Sequence, residues 1–140
     1  MQYKRIMCLD YGDVRIGVAF SDLLQTIASP FETYTRKSIE QDLSYFKNLA
    51  ESQLVEKVII GLPLNMDGSV GERIELTKQF GSLLQKTLNL PVEYVDERLS
   101  SVEAEDVLKQ AKIPAIKWKG LIDKIAAGII LQTYLNSQKK

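Results

Sequence analysis

Residues 4–22 read KRIMCLDYGDVRIGVAFSD. An apolar run, Arg5 to Leu9, stops on an acid, Asp10. The polar segment DYGDVR, with Gly12 inside it, leads to a second apolar run, Ile16 to Phe20, that ends near another acid, Asp22. Short, nearly continuous apolar runs on either side of a glycine-bearing segment read as a hairpin of buried strands. That hairpin sets the start of the fold, and it raises the question of why a carboxylate sits at the end of such a buried strand.

Outward from the hairpin, TIASPFETYT (26–35) reads as a third strand, which Pro30 confines to an edge or a bulge. The opening is an antiparallel meander. The pattern then changes to helix alternating with strand. Ser38 and Gln41 form a capping box ahead of Ile39, Leu43, Phe46, Ala50 and Leu54 at helical spacing. KVIIG (57–61) has the continuous apolar character of a central parallel strand. The loop LPLNMDGSVGER feeds a helix with Leu76, Phe80, Leu83, Leu84 and Leu88 on its apolar side. PVEYVDE (91–97) reads as the last strand, and Ser100 with Glu103 caps a short helix from Val102 to Ala111. Pro114 and Gly120 bracket a basic loop, and a final helix from about Leu121 to Leu135 is apolar almost all round. The order β-β-β-α-β-α-β-α-α predicts an α/β fold with a mixed five-stranded sheet, an antiparallel meander plus parallel strands, flanked by helices.

The chain has 140 residues, 45% hydrophobic and 26% charged, which suits a single domain over residues 1–140. It contains no histidine and one cysteine, Cys8, inside the first apolar run. Imidazole-based triads and the common structural zinc sites are excluded by that composition. A lone buried thiol suits a reducing compartment, and the expected location is the cytoplasm, with neither secretion nor membrane insertion. Net charge is zero, yet residues 109–140 carry seven lysines against one acid, Asp123. A basic C-terminal region on a neutral protein fits a local polyanion-binding face, or else a solvated helix end.

Three acids occupy positions that stability alone would leave apolar or neutral: Asp10 after the first strand, Glu97 after the last, and Asp123 at the head of the apolar helix. Each has an ordinary reading. Asp10 can bond to its own turn, Asp123 can favour a helix N-terminus, and Glu97 can pair with Arg98 or cap the next segment. In open α/β sheets, however, sites lie beyond the carboxyl ends of the strands, where Asp10, the GLPLNMDG loop and Glu97 emerge. Three converging carboxylates repel one another unless a cation offsets them. Hard oxygen donors without sulfur or imidazole favour Mg²⁺ or Mn²⁺, and such sites serve phosphodiester hydrolysis.

Four blocks in order, LDYGDVRIGVAFSD, GLPLNMDGS, DERLSS and DKIAAGIIL, resemble the motif blocks of the YqgF family, also called RuvX, of bacterial Holliday junction resolvase-like proteins or pre-16S rRNA nucleases. The resemblance covers nearly the whole chain and implies a ribonuclease H-like fold. Carried over residue by residue, it implies catalytic and metal-binding acids at Asp10, Glu97 and Asp123, with Mg²⁺ or Mn²⁺ as cofactor. It implies a nuclease that processes the 5′ end of precursor 16S rRNA, or alternatively resolves branched DNA. The partner expected is therefore structured nucleic acid, with no membrane involvement, bound by a monomer or weak homodimer. Arg15, Asn65, Arg98 and Lys124 lie beside the acids in sequence and are candidates for phosphate contact, as are Lys117 and Lys119 of the basic loop. Arg15 reads alternatively as a hairpin surface residue, Gly12, Gly17 and Gly61 read as backbone-geometry residues, Asn65 and Gly68 alternatively as turn formers, and Trp118 as either a base-stacking or a pocket-filling residue.

Two other functions compete. DYGDVRIG also resembles the first phosphate loop of actin-like and sugar-kinase ATPases, but those close ATP between two such domains and this chain has length for one. A structured-RNA-binding protein with little catalysis is the third reading.

Overall fold

The first apolar run forms strand β1 (Arg5–Tyr11), which turns back through residues 12–14 into β2 (Arg15–Ser21). The computed structural model describes residues 3–62, 71–96 and 100–138, less the side chains of 100–102 and 119. β1 and β2 pair antiparallel, with Met7 opposite Phe20 and Tyr11 opposite Ile16, so the expected hairpin is present. β3 (Ala28–Thr35) joins antiparallel to β2 at the rim of the sheet. Pro30 sits where the register of that pair shifts, so its missing N–H falls where the ladder is already interrupted.

Helix α1 (Ile39–Ser52) begins at the expected capping box: the Ser38 hydroxyl accepts from Gln41 N, and the Gln41 side chain returns to Ser38 N. It leads to β4 (Val55–Leu62), which lies parallel to β1. Helix α2 (Glu72–Leu88) then leads to β5 (Val92–Asp96), parallel to β4. Helix α3 (Ser100–Gln110), a 3₁₀ turn (Ala115–Gly120) and helix α4 (Ile122–Ser137) complete the chain. The strand order β3-β2-β1-β4-β5 puts β1 in the middle.

The period-two alternation of β1 divides the core. Met7, Leu9 and Tyr11 face Phe46 of α1 and Phe80 and Leu84 of α2, whereas Ile6 and Cys8 face Ala127, Ile130 and Leu131 of α4. Both faces are covered, which is why the run is continuously apolar. α4 packs against β1, β2 and β3 and also against α3, so its nearly all-round apolarity follows from being covered by both the sheet and a second helix.

Two sequence expectations need correction. Leu54 does not continue the α1 stripe: the helix has ended, Leu54 has φ of 57° and its side chain is exposed. On α2 the buried positions are Ile74, Thr77, Phe80, Gly81 and Leu84, while Leu76 and Leu83 are exposed. Thr77 can be buried because its hydroxyl donates to the Arg73 carbonyl one turn earlier, so no polar group is left unpaired. The expected cap of α3 falls on Ser100, whose side chain lies outside the described residues.

Candidate functional site

Asp10 stands directly opposite Gly17 in the β1–β2 ladder, and directly opposed residues of an antiparallel pair share a face. Since Cys8 faces α4, Asp10 two residues later faces α4 as well. Gly17 identifies what lies above that face. A methyl group built on it would fall well inside contact distance of the Asp123 carbonyl and 3.0 Å from Lys124 N. The first turn of α4 therefore rests on bare backbone at Gly17, and a glycine is required by close approach at this point. Asp123, the second residue of α4, is thereby brought to the face that carries Asp10, although the two lie far apart in sequence.

Arg15 opens β2 and, two residues before Gly17, shares the same face. Its Nε donates to Asp123 Oδ2 at 2.8 Å, and the two side chains are 31% and 23% exposed. Asp123 thus meets a guanidinium on one side and the positive end of the α4 backbone dipole on the other. The structure brings together Asp10, Arg15 and Asp123 at the carboxyl end of β1, where a functional site was expected. Lys124 is half-buried in the same helical turn, and Lys117 is exposed on the 3₁₀ turn that leads into it. Thr33 Oγ1 on β3 donates to the Gly120 carbonyl at 3.1 Å, which ties that turn to the sheet. Trp118 uses its indole N–H internally, donating to the Ile113 carbonyl at 2.9 Å.

Glu97, Arg98, Asn65 and Gly68 lie outside the described residues, as does the side chain of Lys119. Among the described residues no group of three His, Cys, Asp or Glu side chains is placed to hold a metal ion. The described part of the site is accordingly a two-carboxylate, one-guanidinium arrangement.

A second set of polar groups lies behind this site, on the opposite face of the sheet, and sequence reading did not find it. Asp42 of α1 is fully buried; its Oδ1 accepts from Tyr34 OH at 2.8 Å and Lys37 N at 2.9 Å, and its Oδ2 from Arg36 Nε at 3.1 Å. Burial works against the charge of Asp42, but these donors outweigh it and hold the carboxyl below the ordinary range. Burial, with the bond to Asp42, pushes the Tyr34 phenol up to about 12. The available signal was an aspartate, Asp42, on the otherwise apolar side of the first helix, four residues before Phe46.

Comparison with known proteins identifies the family and the fold. A family model described as RuvX, Holliday junction resolvase, matches residues 4–137. A protein of Halothermothrix orenii named "Putative pre-16S rRNA nuclease" is 55% identical over 136 residues, which are 97% of this chain and 97% of the relative. A protein of the same name from Syntrophomonas wolfei is 48% identical over 132 residues, 94% of each chain. Among solved structures, Thermus thermophilus RuvC in complex with a Holliday junction substrate matches with a TM-score of 0.60 at 11% identity, over 97% of this chain and 96% of the other. The Fowlpox virus resolvase complexed with Holliday junction DNA matches with a TM-score of 0.55 at 11% identity, over 97% and 99%. At such identities the likeness concerns the fold, which is ribonuclease H-like.

Proposed function

The chain belongs to the RuvX family and is a nuclease, and from that premise we propose that it cuts precursor 16S rRNA near its 5′ end, using Mg²⁺ or Mn²⁺ held by Asp10, Glu97 and Asp123. The observation that carries this reading is the seat of α4 on Gly17, which brings Asp123 and its partner Arg15 to the face and strand end occupied by Asp10. Glu97 follows directly on Asp96, the last residue of β5, so its place in the chain suits the third acid.

The donor chemistry fits a hard divalent cation. Asp10 and Asp123 offer carboxylate oxygens, the chain has no histidine, and its one cysteine is buried in the core. A bound cation of this kind supplies Lewis-acid stabilisation of charge at the phosphoryl oxygens. The remaining work falls to the chain itself. Arg15 fixes the orientation of the Asp123 carboxylate through Nε, so the acid is preorganised on two stiff elements, β2 and α4. Asn65, Arg98, Lys117, Lys119 and Lys124 supply donors and positive charge for the nucleic-acid backbone. The lack of histidine leaves carboxylates, phosphate or solvent to accept the proton of the attacking water. No helix among the described residues is long and apolar enough to cross a membrane. A ribosomal precursor as substrate would make the cytoplasm the site of action.

Branched DNA is the second reading, favoured by the description of the matching family model. One experiment separates them: a precursor 16S 5′-end RNA and a four-way DNA junction, incubated side by side with the protein and either ion. RNA cut and junction intact is the expected result, and Asp10→Asn, Glu97→Gln and Asp123→Asn each abolish cutting while the protein stays folded. A cut junction with intact RNA replaces the first reading by the second. Three acid variants that all cut at the wild-type rate refute the site assignment.

A further inference from the structure

The turn between Asp10 and Arg15 is held far more firmly than a surface reversal of the chain requires. Tyr11 OH accepts from Arg36 Nη1 at 2.7 Å, and the Tyr11 carbonyl from Arg73 Nη2 at 3.5 Å. The Gly12 carbonyl accepts from Arg36 Nη1 at 3.3 Å, and Asp13 Oδ2 from Arg73 Nη1 at 2.9 Å. The Val14 carbonyl accepts from Arg36 N at 2.8 Å. Tyr11, Gly12 and Asp13 are thus each bonded to the guanidinium of one of two arginines, and Val14 to the backbone N–H of one of them; those arginines come from outside the hairpin.

The two are not equivalent. The Arg73–Asp13 pair is exposed, and such pairs contribute little. Arg36 is 17% exposed, its Nε is committed to the fully buried Asp42, and its guanidinium lies 4.8 Å over the Tyr11 ring and 5.6 Å from the Phe80 ring centroid. Asp42 is in turn fixed by Tyr34 and by the backbone at the start of α1. Stacked and hydrogen-bonded on several sides, the planar fork of Arg36 has one place to stand.

We propose that Arg36 is a positioning residue for the nuclease site: from the α1 side of the sheet it fixes the Tyr11–Val14 turn, and through that backbone the relative placement of Asp10 and Arg15 at its two ends. This rests on the reading of Asp10 given above, but the mechanics are separate from it. Arg36 approaches from the sheet face opposite to Asp10 and acts on the site through the main chain. The cost of losing such support is paid in geometry, since misplacing a reacting group by about 1 Å lowers rate by roughly 10²-fold.

The clean test is Tyr11→Phe, which deletes the hydroxyl that accepts from Arg36 and keeps the ring on Phe80 and the Arg36–Asp42 pair in place. Arg36→Lys, which keeps the charge and loses the fork, is the second variant. Ile6→Val, at the far end of β1, controls for simple loss of stability. The readouts are kcat and KM on the RNA, Mn²⁺ affinity of the protein without nucleic acid by titration calorimetry, melting temperature, and amide hydrogen exchange over residues 10–16. We expect Tyr11→Phe to lower kcat about tenfold with KM within about twofold, to weaken Mn²⁺ several-fold, and to speed exchange in the turn. Arg36→Lys does the same more strongly, and Ile6→Val changes melting temperature alone. Tyr11→Phe and Arg36→Lys variants that lose stability yet keep wild-type kcat, Mn²⁺ affinity and turn exchange overturn the proposal. If Asp10→Asn also leaves Mn²⁺ affinity untouched, the metal reading is what fails; turn exchange then decides, faster exchange supporting the role of Arg36 and unchanged exchange ending it.

Discussion

Substituting Gly17 by alanine tests how the site is assembled, because the expected damage follows from one contact. The added methyl would lie more than about 1 Å inside ordinary contact with the Asp123 carbonyl oxygen, given an optimal separation of about 3.5 Å. Neither partner yields easily. Gly17 lies within β2, paired on one side with β1 and on the other with β3, and α4 packs against both the sheet and α3. Overpacking of this kind costs about 1–3 kcal/mol. For a chain of this length that is a fall in melting temperature of roughly 3–12 °C. The strain is relieved most cheaply by lifting the first turn of α4, and that turn carries Asp123 away from both Arg15 and Asp10. A displacement of about 1 Å there should cost roughly 10²-fold in rate, more than the loss of folded protein at 25 °C explains. The internal control is Gly120→Ala, since nothing lies within 4 Å of a methyl at Gly120. Circular-dichroism melts and single-turnover cleavage on both variants measure the two effects. A Gly17→Ala protein that melts and cuts like wild type, or like Gly120→Ala, refutes the claim that α4 is seated on bare backbone.

Replacing Lys117, Lys119 and Lys124 together with alanine should flatten the dependence of RNA binding on salt, by up to about 2 units of log–log slope if each neutralises one phosphate of a single strand. Fluorescence anisotropy across a potassium chloride series measures this, and an unchanged slope returns these lysines to the solvated surface. Asp22 accepts from Thr26 N, Ile27 N and Thr26 Oγ1, and those bonds, the backbone ones foremost, hold its pKa at about 2 against an ordinary 3.8. A carboxyl depressed by folding stabilises the protein fully above the ordinary value and loses that contribution as pH falls through the folded one, so melting temperature should drop between roughly pH 4 and 2 and drop less in Asp22→Asn. Tyr34 has the opposite sign: raised from 10.0 to about 12, it stabilises below the ordinary value and ceases to as pH climbs towards 12, and Tyr34→Phe should remove that alkaline slope while melting lower at neutral pH. Melts that show the same acid or alkaline slope in the variants as in wild type count against these assignments.

The sheet was legible in the sequence because its signals are local. Continuous apolar runs marked β1, β2 and β4, proline marked the rim strand, and the Ser38–Gln41 box marked the start of α1, each within a window of a few residues. The errors on α2 have a common cause. Periodicity counts hydrophobic residues, whereas burial depends on what a polar or absent side chain finds when it arrives. Thr77 goes inside because its hydroxyl has the Arg73 carbonyl to bond to, and Gly81 goes inside because the Tyr94 phenol takes up the space its side chain would fill. Leu76 and Leu83, apolar in sequence, are left on the outer face.

For the site the division is between chemistry and geometry. Asp10 and Asp123 stood out because an acid at the end of a buried strand or the head of an apolar helix has a cost visible in one dimension. Their relation to each other has no such trace. Arg15 and Asp123 are joined by a bond that spans a sequence separation of 108, and nothing near either residue names the other. Gly17 comes closest to such a trace: it is recognisable as a residue kept small for backbone reasons, but a missing side chain does not say what occupies its space. Arg36 is harder still, since it is an ordinary basic residue between a strand and a helix until Asp42, Tyr11 and Phe80 close around it. The motif acids are thus visible by their chemistry, while the residues that hold them in place are drawn from neighbouring elements and become visible when the sheet is assembled. Substitutions such as Tyr11→Phe, which remove one supporting hydroxyl and no motif acid, are therefore where the structure adds most to what the chain alone declares.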